Sequence, residues 1–145
     1  MYQFNLESLL NHRRYQEEIL QKELAALKIR LAAEKEKLGI LRQRKRESIQ
    51  RLQGKQSQGC PASEIKLYVD FVDRLSKETE AQRQNMMKAE RHFNQKRQEL
   101  IAAMKKRKTL DRLKEKGLHA YEQEQLKKER NFMDEVAGHR FRQNS

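Results

Sequence analysis

Four histidines and one cysteine are the residues of this 145-residue chain best suited to hold a metal or to act as nucleophile and base. A structural or catalytic zinc needs Cys and His ligands at short, converging spacings. His12, His92, His119 and His139 are instead scattered along the chain, and none has an acid-plus-thiol neighbourhood. Cys60 has no His placed to lower its pKa, and a single cysteine forms no intramolecular disulfide. Neither a G-x-x-x-x-G-K-[ST] loop nor a G-x-G-x-x-G turn is present. These residue types predict no enzyme, no metal and no cofactor.

Charge is the next candidate for chemistry. Lys and Arg number 33 against 21 Asp and Glu, a formal net charge of +12, and only 36% of the residues are hydrophobic. Arg42, Arg44, Lys45 and Arg46 form one basic cluster, and Lys105, Lys106, Arg107 and Lys108 another. Such runs bind phosphate backbones or serve as solvated helical faces. Helical readers of nucleic acid present base-contacting side chains, and single-strand binders interleave aromatics. Both signals are missing here, so the clusters predict an acidic protein partner ahead of specific nucleic acid. No window approaches the roughly 18 apolar residues of a membrane span. The first fifteen residues, with Glu7, Arg13 and Arg14, do not resemble a secretory signal. A cytoplasmic location is expected.

The elements that carry these residues are legible from the hydrophobic rhythm. Leu6, Leu10, Leu20, Leu24, Leu27, Leu31, Leu38, Leu41 and Leu52 fall on alternating steps of four and three, a heptad seam. Arg13, Glu17, Glu34, Lys45 and Ser48 fill its polar positions, while Leu9, Ile19 and Ile49 widen it. The rhythm stops at Gln53–Ser63, which holds two of the five glycines and the only proline. Pro61 suits a helix start, and Ser63 followed by Glu64 resembles an N-cap. From Ile65 the rhythm resumes through Tyr68, Val72, Leu75, Thr79, Gln82, Met86, Ala89, Phe93, Lys96, Leu100, Ala103, Arg107 and Leu110. It then loosens toward Val136. Met86, Met87 and Met104 read as flexible filling of a narrow seam.

This pattern predicts one unit, an all-α antiparallel two-helix coiled-coil hairpin. Helix 1 is expected over about 4–53, a turn over about 54–62, helix 2 over about 63–138 and a frayed tail over 139–145. At 1.5 Å per residue the helices would be roughly 70 and 110 Å long. The favoured register sets Leu38 against Leu75, Leu27 against Met86 and Glu17 against Lys96. A register one heptad away sets Leu38 against Gln82 and Leu24 against Lys96. In the favoured one helix 1 ends near Phe4 opposite about residue 109, so helix 2 overhangs at its C-terminal end. Leu110, Leu113, Leu118, Tyr121, Leu126, Phe132, Met133 and Val136 then lie on a helix without an intramolecular partner, a docking element or a frayed end. Leu67 and Phe71, off the seam near the turn, form either a recognition patch or a local thickening of the core.

The C-terminal segment Lys108–Lys116 (KTLDRLKEK), then His119–Glu124 (HAYEQE) and Met133–Arg140 (MDEVAGHR), resembles the flagellar FliJ family, which ends in L/M-D-E-x-A-x-x-R. Tyr68 to Leu75 also matches that family's Y-x-x-F-[IV]-x-x-L stretch. The resemblance implies a non-enzymatic component of the flagellar type III export apparatus, similar to the stalk of rotary ATPases. It implies insertion of an end into the export ATPase hexamer, promotion of its assembly and activity, and contact with its regulator. It further implies contact with the cytoplasmic domain of the export gate and with export chaperones. Carried onto this sequence, Leu110, Leu113, Leu118, Tyr121, Met133, Val136 and Arg140 would face the ATPase, and Leu67, Phe71 and Leu75 the gate. Glu78 and Gln82 depart from the small and basic-aromatic residues expected further along the gate stripe. Location would be cytoplasmic and peripheral on the cytoplasmic side of the membrane at the flagellar base. Two alternatives stay open: the stalk of a non-flagellar, injectisome-type system, and a basic coiled-coil module for nucleic acid or anionic surfaces.

Overall fold

A computed structural model describes residues 1–144, among which helix α1 (Glu7–Gln58) and helix α2 (Ala62–Asn144) form an all-α antiparallel hairpin. Strong helix formers fill both stretches, and the apolar seam supplies the packing that a lone helix would lack. Every expected seam position from Leu10 to Leu52, and from Ile65 to Leu110, is buried or half-buried. Leu6 is the exception at 40% exposure. Leu9 and Ile19, expected to widen the seam, are exposed only in part, at 39% and 37%, and Ile49 is half-buried.

The helix ends correct the expected boundaries. Residues 53–58 are helical, with Ser57 Oγ donating to the Gln53 carbonyl at 3.0 Å. The connection shrinks to Gly59, Cys60 and Pro61, and Gly59 adopts φ 79°, the left-handed conformation that ends helices. The start of α2 is capped by backbone: the Pro61 carbonyl accepts from the N–H groups of Glu64 at 3.0 Å and Ile65 at 3.2 Å. Ser63, expected as N-cap, is already inside the first turn. At the far end α2 remains helical through Asn144 where a frayed tail was expected over 139–145; Ser145 lies outside the described residues.

The helices are shared by two compact units, Ile19–Leu100 and Met1–Glu18 with Ile101–Ser145. In the first, Leu31, Leu38, Leu75 and Ala89 are buried. Its register is shifted by about a heptad from the favoured expectation. Leu27 shares a crevice with His92, Gln95, Lys96 and Glu99, not with Met86. Lys96 pairs with Glu23 at 2.8 Å and Glu99 at 3.1 Å. Gln82 donates to the Glu34 backbone carbonyl at 3.1 Å and to its carboxylate. The favoured register had avoided setting Gln82 and Lys96 against Leu38 and Leu24. Here both are satisfied, which removes the penalty for half-burying them.

In the second unit Leu10 is fully buried and Leu110 nearly so. Leu9, Arg13, Lys106, Thr109 and Leu110 enclose a small crevice beside them. Glu17, expected against Lys96, is instead held by the Arg107 guanidinium through two N–H groups. The pairing continues past Leu110 through polar residues: Lys114 meets Glu7 at 2.9 Å, and Tyr2 packs over Gly117 and Tyr121. The end of helix 1 therefore does not face residue 109.

Candidate partner-docking surfaces

The second unit ends its pairing at an aromatic clasp. Tyr2 and Tyr121 lie with ring centroids 5.7 Å apart at 43°, a geometry that contributes about 0.5–1.5 kcal/mol beyond the area it buries. A Cβ at Gly117 would collide with the Tyr2 hydroxyl, so the glycine is the notch that admits the ring. Below the clasp runs a charged ladder. Arg107 Nη1 donates to Asp111 at 2.8 Å, and Arg14 Nη2 donates to the other oxygen of the same carboxylate at 3.2 Å. The hydrogen bond from Arg107, supported by Arg14, holds the Asp111 carboxyl below its ordinary range against the opposing effect of burial. Glu17 first, then Asp111, raise the Arg107 pKa in turn.

Beyond Tyr121, α2 carries on to Asn144. Leu126, Met133 and Arg140 recur at heptad spacing, with Val136 one turn from Met133. Leu126 and Met133 are exposed, as are Phe132 and Phe141 nearby. Arg140 is also exposed, while Val136 is half-buried. The expected set thus divides. Met133, Val136 and Arg140 lie on the extension; Leu113 and Leu118 are exposed on the paired part; Tyr121 sits in the clasp. Leu110 belongs to the packed seam, where it offers no surface. Phe141 was missed because the tail was expected to fray. Tyr2 was missed because its partner is a glycine notch, which leaves no apolar periodicity to detect.

In the other unit, Glu64, Leu67, Tyr68, Phe71 and Arg74 line an open groove just after the turn. Leu67 is 70% exposed and Phe71 44%. The Arg74 guanidinium sits over the Phe71 ring, 5.9 Å from its centroid, a cation–π contact at the spacing of adjacent helix turns. Leu75, expected beside them, is buried in the seam and is not part of the groove lining. At the turn itself Cys60 donates its thiol to Glu64 at 2.9 Å, and Lys55 pairs with the same carboxylate at 3.6 Å. That hydrogen bond raises the Cys60 pKa and lowers that of Glu64.

Both surfaces are helical faces with exposed apolar side chains bordered by charge, the geometry of helix-in-groove recognition. Among the described residues no helix is long and apolar enough to cross a membrane. No curated protein and no solved structure matches the chain. The family model described as Flagellar FliJ protein matches residues 2–145, and the chain therefore belongs to the FliJ family of flagellar type III export components.

Proposed function

We propose that this chain is a non-enzymatic stalk of the export apparatus that binds the export ATPase hexamer through the α2 extension and thereby promotes its assembly and activity. The observation that carries the reading is the end of helix pairing at Tyr2 and Tyr121 while α2 continues to Asn144 with Leu126, Phe132 and Met133 exposed. An isolated helix gains little from leaving such side chains in water, and a partner groove would cover them. The groove of Leu67 and Phe71 is the surface for the export gate, with Arg74 fixing the Phe71 ring. Contacts with the ATPase regulator and the export chaperones, and a peripheral position at the cytoplasmic face of the membrane, belong to the same reading.

Titrating the full chain into purified export ATPase tests it. Hydrolysis and hexamer formation are expected to rise, and the double variant Leu126→Glu, Met133→Glu is expected to lose most of the effect while remaining helical. Phe71→Ala should weaken gate binding and leave ATPase stimulation intact. Unchanged ATPase activity on titration with the folded wild-type chain would overturn the stalk reading.

A further inference from the structure

A second apolar stripe runs along α1 on the side away from the seam, and the hairpin leaves it uncovered. Ile19, Ala26, Ile29, Ala33 and Ile40 fall on the same three-four rhythm as the seam but two positions later. Two helical residues are a rotation of about 200°, so this stripe lies roughly opposite Leu24, Leu31 and Leu38. Ile19 is 37% exposed, Ile29 72% and Ile40 47%. Ala26 and Ala33 are exposed as well, with Ala25 and Ala32 beside them. All these residues belong to the Ile19–Leu100 unit.

We propose that this face pairs with the same face of a second copy of the chain, α1 against α1, antiparallel about a two-fold axis between Leu27 and Lys28. A two-fold interface requires a self-complementary stripe, and the residues meet that requirement. About such an axis Ala26 lies across from the partner's Ile29, Ala25 beside the partner's Ala32, and Glu23 beside the partner's Arg30. Symmetry repeats each contact. The small Ala26 facing each Ile29 lets the helices approach closely beside the axis. Glu23 is paired with Lys96 yet keeps 47% of its side chain exposed, which leaves an oxygen for an arginine. Charge favours the same occupant. The stretch from Gln16 to Ile40 holds five acidic and five basic residues, neutral in a chain of net charge +12, so like-charge repulsion between two copies is low there. The inference stands on the stripe alone and does not depend on the export reading.

Sedimentation equilibrium of the full chain tests it. Starting from the 17.4 kDa monomer, the mass is expected to double with concentration, and Ile29→Glu to hold the chain monomeric with unchanged far-UV circular dichroism. Arg30→Glu sets like charges together twice and should weaken the dimer by about tenfold. Adding Glu23→Arg to it should restore affinity. A monomer up to millimolar concentration, a dimer indifferent to Ile29→Glu, or a charge swap without rescue would each overturn the pairing.

Discussion

Asp111 gathers two guanidinium groups on one carboxylate, Arg107 at 2.8 Å within α2 and Arg14 at 3.2 Å from α1, and this ties its ionisation to the pairing of the helices in its unit. Its folded-state pKa lies below the unfolded value, which is near 3.9 for Asp. The carboxylate therefore contributes its full stabilisation above about pH 4 and loses it as pH falls through the lowered folded value. Side chains about a third exposed are partly screened, so the contribution is modest. In an acid titration of helicity, Asp111→Asn is expected to be less stable than wild type at pH 7 and to converge on it as pH falls below the lowered folded-state value. Equal stability at neutral pH would show that the two arginines gain nothing from the carboxylate. Glu80, exposed on α2, is drawn down to about 2 by Arg83 and then Gln84 within its own helix. That pairing ties together residues already fixed by the same turn and contributes little to the hairpin.

At the scale of the elements, the helical rhythm and the seam were legible because leucines at heptad spacing leave one solution for which face is covered. The turn was not, because Gln53–Gln58 combines glycine, serine and glutamine, a composition shared by loops and by the exposed last turns of a helix. The register was chosen for its apolar pairs, and the shorter turn argues for the other one. A three-residue connection centred on Cys60 pairs each helix-1 residue with one further along α2 than a loop over 54–62 does. The favoured pairing also counted Gln82 and Lys96 as costs without seeing that Glu34, Glu23 and Glu99 satisfy them. The two surfaces were half visible: Leu67 and Phe71 fell off the seam by arithmetic, while Leu75 and Leu110 fell on it and proved buried. Two glycines five residues apart test the corrected boundary. Gly54 lies inside α1 with open space around its Cβ position, so Gly54→Ala should stabilise by about 1 kcal/mol. Gly59 holds φ 79°, so Gly59→Ala should destabilise by about 1–2 kcal/mol. Thermal melts should move in opposite directions, by a few degrees each. A neutral Gly54→Ala would return residues 53–58 to the loop.

For the whole molecule the dominant quantity is the net charge of +12, carried by a chain whose covered residues lie along narrow helical seams. Arg42, Arg44 and Arg46 are exposed, as are Lys105, Lys106 and Lys108. Surface charge of this kind governs how fast an oppositely charged partner is found more than how tightly it is held, because rim charges stay hydrated in the complex. The apolar side chains at Leu126, Phe132 and Met133 would set the lifetime once docked. Binding to the export ATPase should therefore split by kinetic constant. Raising ionic strength from about 0.01 to 0.15 M shortens the Debye length from about 30 to 8 Å, and the association rate should fall by roughly tenfold or more over that range. The dissociation rate should hardly change. Leu126→Glu with Met133→Glu should do the reverse, speeding dissociation at every salt concentration. Surface-immobilised ATPase with the full chain in the flow separates the two constants. An association rate indifferent to salt would mean that the positive charge serves solubility alone and that the partner presents no acidic face.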